Sequence, residues 1–228
     1  MRVEFSAEQT RTKQIVESDE VRELIRWALL DQANMALLAR AIRRYRNLHE
    51  FSHGTAAIKS FKVWVTRFQR RSRRSDGKAQ IIAVMEEYAD RGGDLSNVRG
   101  ALIEAMAFYR LSGHYPPERV MNNVFVHVFE PAENGDLLYR SERSIDVAAC
   151  DGHRGEFLYC KAQARYVESD VIEEMVDELE SRAFRVGIVC ADDAAVARHT
   201  LALAHPFRNR VAVIGADLWW TGLPVHRG

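Results

Sequence analysis

Through the first ninety residues, apolar side chains recur at helical spacing. Val21, Leu24, Ile25, Ala28 and Leu29 fall at i, i+3, i+4, i+7 and i+8 behind Ser18, a candidate N-cap. Met35, Leu38, Ile42 and Tyr45 make the stripe of a second helix. Phe51-Ser52-His53-Gly54 interrupts the pattern, and Thr55 can cap a third helix with Ile58, Phe61, Val65 and Phe68 on its inner face. After the polar break Ser72–Gly77, a short helix is expected around Ile81, Ile82, Met85 and Tyr88. Gly92-Gly93 is the candidate boundary, with Asp94 placed to cap the next helix. Residues 1–91 therefore read as a helical region and 92–228 as a second domain.

Beyond the boundary the period changes. Val98, Ala101, Leu102, Ala105, Phe108 and Tyr109 mark a helix ending near Gly113 and Pro116. Val124–Glu130 is rich in β-branched and aromatic residues and reads as a strand, followed by the turn signal Asn134-Gly135 and a return through Leu137, Leu138 and Tyr139. Two more strands, Ser144–Cys150 and Glu156–Gln163, flank a turn at Asp151-Gly152. A helix carrying Val171, Ile172, Met175, Val176 and Leu179 leads to the strand Arg185–Ala191, a helix from about 192 to 204, and the strand Arg210–Gly215. A strand meander followed by alternating helices and strands predicts an α/β fold, a mixed sheet covered by helices.

Composition narrows the class. The chain has 228 residues, 47% of them hydrophobic and 28% charged, enough to bury a core without staples. Three widely spaced cysteines, Cys150, Cys160 and Cys190, fit a reducing compartment rather than a disulfide framework. No apolar run reaches the roughly 20 residues that span a bilayer, and Met1–Phe5 lacks the apolar core of a signal peptide. The expectation is a soluble cytoplasmic protein with no membrane partner. The formal net charge of zero conceals an asymmetry: residues 40–78 hold twelve Lys and Arg against Glu50 and Asp76 alone, a net of +10. Arg43, Arg44, Lys59, Lys62, Arg67, Arg70, Arg71, Arg73 and Arg74 are the candidate phosphate contacts, interleaved with Tyr45, Phe61, Trp64 and Phe68. Such a surface suits nucleic acid; docking onto an acidic protein surface is the alternative.

Two ionisable residues sit inside apolar strands. Asp146 lies in Ile145-Asp146-Val147-Ala148 and Lys161 ends Phe157-Leu158-Tyr159-Cys160-Lys161, where a lone charge is costly unless paired or bound. Strand alternation puts Tyr159, Lys161 and Gln163 on one face and Cys160 on the other. If the segments pair through the turn between them, Asp146 and Lys161 converge, either as a simple ion pair or as a site.

A helix with an acid, a meander with a single Asp, a turn, a strand ending in x-Lys, then helix and strand together resemble the PD-(D/E)XK nuclease superfamily, which includes restriction endonucleases and Holliday-junction resolvases. The resemblance covers roughly residues 94–215. It implies a restriction-endonuclease-like sheet, with Asp146 and Glu104 as ligands of Mg²⁺ or Mn²⁺, Lys161 as the motif lysine and Gln163 beside it. It further implies hydrolysis of phosphodiester bonds, in DNA ahead of RNA, by a homodimer or by a subunit of a larger DNA-processing or defence complex. One position departs from the pattern: Tyr159 stands where the superfamily has Asp or Glu, and a phenol is a poor Mg²⁺ ligand. Glu156 through a bulge, or Glu173 or Glu174 from the next helix, are candidate replacements. A catalytically silent nuclease fold that binds nucleic acid or a protein partner is the other reading. Elsewhere there is no phosphate-binding GxxxxGK[ST] loop and no HExxH. Trp219-Trp220 reads as core packing or a docking patch.

Overall fold

Six strand-forming runs in the second half of the chain and a seventh near the N-terminus assemble a seven-stranded mixed sheet. The computed structural model describes residues 2–8, 11–29, 32–44, 95–131, 135–152, 154–174, 177, 179, 184–204 and 211–219. In chain order the elements are β1 (Arg2–Ala7), α1 (Arg11–Val16), α2 (Asp19–Leu29), α3 (Gln32–Arg44), α4 (Leu95–Leu111), β2 (Val120–Phe129), β3 (Leu137–Arg140) and β4 (Ile145–Cys150). They continue with β5 (Gly155–Lys161), a 3-10 turn (Ala164–Tyr166), α5 (Ser169–Glu174), β6 (Arg185–Cys190), α6 (Ala194–Ala204) and β7 (Ala212–Ile214).

The sheet runs β1-β2-β4-β5-β6-β7, with β3 also paired to β2. Its first part is antiparallel, through β5, and β5-β6-β7 is parallel, so the meander and the helix-linked tail meet at β5. On one face, Val120, Val147, Leu158, Val189 and Ile214 pack under α1 to α4, which contribute Leu24, Ile25, Leu38, Leu102 and Met106 among others. On the other face, Val126, Phe157, Tyr159, Ile188 and Val213 pack against Val171 and Ile172 of α5 and Ala197 and Leu201 of α6. The result is three layers, helices on both sides of a sheet.

Local chemistry sets the element ends. Ser18 caps α2, its Oγ accepting the Val21 amide at 3.3 Å. Gly152 holds φ at +95°, and the Asp151 carboxylate takes the Arg154 amide at 2.7 Å, which closes the β4–β5 turn. At Gly215 a Cβ would lie 2.1 Å from the Ala194 nitrogen, so only glycine lets the end of β7 lie against the start of α6. Asp217 then caps that helix, accepting the Ala194 amide at 2.6 Å.

The N-terminal strand departs from the all-helical expectation for the first ninety residues. Arg2–Ala7 alternates apolar and polar residues, and β1 pairs antiparallel with β2 from Arg2↔Phe129 to Ala7↔Val124. Val3 and Phe5 turn inward, and Phe5 meets Phe157 edge to face with ring centroids 6.4 Å apart. Residues 2–44 thus share both cores with residues 95–219. The expected boundary at Gly92-Gly93, the Asp94 cap, Tyr45 and the helices around Ile58–Phe68 and Ile81–Tyr88 lie outside the described residues, as do Asn134, Met175, Val176 and Trp220. Trp219 is fully buried, as core packing requires, and its carbonyl accepts a hydrogen bond from Arg110. Among the described residues no helix is long and apolar enough to cross a membrane.

Candidate active site

An irregularity in β2 lies beside the sequence-predicted acids Glu104 and Asp146. In β2, Asn123 adopts a left-handed backbone with φ of 51°. The register holds on either side, Asn122↔Val147 and Val124↔Ile145, yet the inward direction changes: Val120 joins the core under α4, whereas Val124 and Val126 join the opposite core. A single αL residue in a strand costs about 1–3 kcal/mol and persists where its surroundings fix it. Here the Asn123 amide donates to Glu104 Oε2 at 2.8 Å, with both side chains buried.

The β4–β5 ladder runs from Cys150↔Gly155 to Val147↔Leu158. One step further on, the Asp146 carboxylate accepts the Cys160 amide at 2.6 Å, a side chain standing where a ladder carbonyl would otherwise be. Glu104 projects from α4, which lies over β2, β4 and β5. One turn earlier, a Cβ at Gly100 would sit in ordinary contact with Glu104 Oε1, 3.9 Å away.

The charges of Glu104, Asp146 and Lys161 act on one another. Burial, and then the neighbouring Asp146 charge, push Glu104 up to about 8, against the pull of the Asn123 hydrogen bond and Lys161. Burial raises Asp146 to about 6, opposed by the Cys160 N–H and by Lys161. Cys160 lies on the α4 side of β5, and its thiol is pushed well up by burial and then by the two acids. All three cysteines are buried and free.

A carboxyl raised in the folded state stabilises the protein fully below its unfolded pKa and loses that contribution as pH rises through the folded value. For Glu104 the window runs from about 4.5 to about 8, and Asp146 adds in the same sense below about 6. Without divalent cation, stability should therefore fall across this window. Glu104→Gln should remove most of the slope, a relative gain on the order of 5 kcal/mol at the alkaline end. Urea unfolding in EDTA at several pH values measures it, and parallel profiles for the two proteins would contradict the placement of Glu104.

The other predicted residues have different surroundings. Gln163 lies past the end of β5; its Nε2 faces Asp192 Oδ1 at 3.5 Å and its Oε1 accepts from Arg165 at 3.0 Å. Tyr159 is buried on the α5 side, its phenol pKa raised by burial and then by the charges of Glu174 and Asp146. Of the candidate replacements, Glu156 is buried against Arg185 at 2.9 Å, and Glu173 is exposed. Glu174 accepts the Tyr139 hydroxyl at 2.8 Å and the Glu142 amide at 2.9 Å. Among the described residues no group of three His, Cys, Asp or Glu side chains could hold a metal ion. Glu104 and Asp146 remain a two-carboxylate set, which is what Mg²⁺ commonly uses when waters and a substrate phosphate complete its shell.

Of the basic residues, Arg43 lies at the end of α3, 3.7 Å from Asp193, and the neighbouring Ile42 carbonyl accepts from buried Arg99 at 2.7 Å. Arg44 is the last residue of α3. Lys59, Lys62, Arg67, Arg70, Arg71, Arg73 and Arg74 lie outside the described residues. Sequence reasoning missed Asn123. The signal was present: two adjacent asparagines in a mostly apolar strand mark a place where the chain can leave β geometry.

No protein-family model matches the sequence, and no curated protein matches it. Solved structures similar to the chain include protein VC1899 from Vibrio cholerae, at 14% identity and a TM-score of 0.43, covering 96% of this chain and 56% of that one. Can2 from Sulfobacillus thermosulfidooxidans, in complex with cyclic tetra-adenylate, is similar at 12% identity and a TM-score of 0.38, covering 95% of this chain and 53% of that one. The chain thus spans little more than half the length of either protein.

Proposed function

We propose that this chain is a nuclease-fold protein that hydrolyses phosphodiester bonds of nucleic acid, DNA ahead of RNA, with a divalent cation held by Glu104 and Asp146. The observation that supports this reading is that the charges of Asp146 and Lys161 both act on buried Glu104, beside the irregularity at Asn123 and the end of the β4–β5 ladder. Two carboxylates whose pKa values are raised by burial, that of Glu104 further by the Asp146 charge, form a place that welcomes positive charge. The order α4, β2, β4, β5, α5, β6 also agrees with the superfamily arrangement that the sequence resembles.

Mg²⁺ or Mn²⁺ bound there would supply an activated water and screening of the phosphate. Asn123 holds Glu104 in place, and the Cys160 amide holds Asp146. Lys161 offers an ammonium to the negative charge that develops on the phosphate oxygens. The basic stretch starts close by: Arg43 reaches Asp193, three residues past Cys190, which lies opposite Lys161 in the β5–β6 register. That placement supports contacts with the nucleic-acid backbone, which position a strand without reading its sequence.

Reversing Arg70, Arg71, Arg73 and Arg74 to Glu should weaken binding to all DNA sequences alike. The slope of log affinity against log salt should shrink by about one unit for each phosphate no longer neutralised. Fluorescence anisotropy over a salt series measures both, and wild-type binding insensitive to salt would remove the nucleic-acid role of this stretch.

Tyr159 supports a second reading. A buried phenol at the position of a superfamily carboxylate leaves two acids for the cation, and in a silent fold the same surface would bind nucleic acid or a protein partner without cutting.

A further inference from the structure

We infer that Arg165 and Tyr166, just past Lys161 in the chain, form a stacking platform for an unpaired base of the nucleic acid. This rests on the nuclease reading above and narrows its substrate to strands that present an unstacked nucleotide at the cleavage site.

The platform begins four residues after Lys161. Where β5 ends, the chain turns at once, and the turn is pinned from several sides. Asp192 Oδ2 accepts the Ala164 amide at 2.9 Å and Oδ1 faces the Gln163 side-chain amide at 3.5 Å. The Tyr166 and Val167 amides donate to the Gln163 and Ala164 carbonyls, each at 3.1 Å. Ala164 and Val167 are buried, and the turn packs against α6. The backbone is fixed, while the side chains of Arg165 and Tyr166 face outward, Tyr166 being 43% exposed.

The two side chains are ordered relative to each other. One terminal nitrogen of Arg165 donates to Gln163 Oε1 at 3.0 Å and to the Tyr166 hydroxyl at 3.2 Å. The guanidinium lies over the Tyr166 ring, 5.0 Å from its centroid. A cation held against an exposed aromatic ring restrains both side chains, so the ring face they offer loses less side-chain entropy on binding. Its chemistry matches a nucleobase, whose π-face stacks on rings and guanidinium planes while its own phosphate meets the positive charge. In a duplex the base faces are covered by their neighbours, so the surface favours single strands or frayed ends.

Gln163 acquires a role in this arrangement. Rather than meeting the acid pair, it links Asp192 to Arg165 and so orients the guanidinium. The rigid turn then carries the base-binding surface on the same short segment as Lys161.

The test is equilibrium binding of the full chain, in EDTA so that no cleavage intervenes. The probes are a short oligo(dT) strand carrying one fluorescent adenine analogue and a duplex of the same length. Wild type should quench the analogue on binding the single strand, as stacking requires. Tyr166→Ala should lose about five- to hundredfold in single-strand affinity and should lose the quenching, with duplex affinity unchanged. Tyr166→Phe, which keeps the ring, should bind as wild type. Tyr166→Ala binding the strand as tightly as wild type would overturn the platform, as would equal losses on strand and duplex. A wild type that binds duplex but not single strand would overturn it while leaving the nucleic-acid reading in place. One that binds neither would overturn both.

Discussion

Asp146→Asn should abolish phosphodiester cleavage while DNA binding persists, and Lys161→Met should do the same. Asparagine is the informative replacement because Asp146 serves two purposes. Its Oδ2 accepts the Cys160 amide at 2.6 Å, so alanine would orphan a buried N–H at a cost of about 1–3 kcal/mol and confuse folding with catalysis. Asparagine keeps a carbonyl acceptor and removes the charge a cation needs. Lys161→Met keeps the aliphatic stem and removes the ammonium. Loss of one group that stabilises transition-state charge costs about a hundred- to thousandfold in rate. Single-turnover cleavage of a labelled duplex bearing a single-stranded tail, with Mn²⁺, beside anisotropy on the same DNA, separates chemistry from binding. Cleavage that survives both substitutions would mean that the chemistry resides elsewhere in the chain.

Much of this arrangement was legible because a charge inside an apolar strand advertises itself. Asp146 and Lys161 stood out in their runs, and the Asp151-Gly152 turn between them dictated that the strands pair. Glu104 was visible at the edge of the α4 stripe. The Ser18 cap and the Val21, Leu24, Ile25, Ala28 period placed α2. The features that escaped depend on contacts between distant segments. β1 has only Val3 and Phe5 to mark its period, and its partner strand begins more than a hundred residues later. Asn123 matters through one backbone angle and through a carboxylate 19 positions away. Gln163 shares its strand's alternation with Lys161, which suggested a common site. Its actual neighbour, Asp192, comes from the loop after β6, and no local pattern announces that pairing.

Tyr159→Glu should give the second large effect, a loss of stability without cation that bound cation largely offsets. The phenol is 3% exposed and feels the negative charges of both Glu174 and Asp146. A glutamate there adds a third carboxylate to a desolvated set that already holds Glu104 near 8 and Asp146 near 6. In EDTA at alkaline pH the variant should be less stable than wild type by about 3–5 kcal/mol, the usual cost of a buried charge without a partner. Tyr159→Gln separates the loss of the ring from the gain of charge and should fall between them. Adding Mn²⁺ should stabilise the variant more than wild type and narrow the gap between them, because each carboxylate raises the affinity of a cation site. At a hundredfold excess over the dissociation constant, binding restores about 2.7 kcal/mol. Thermal unfolding against Mn²⁺ concentration, beside cleavage assays, reads both effects. Cleavage by the variant but not by wild type would identify the natural protein as a silent fold whose remaining residues are still in place. Cleavage by both would show that two carboxylates suffice here. Mn²⁺ that stabilises neither protein would remove the cation from this site, and with it the hydrolytic reading of Glu104 and Asp146.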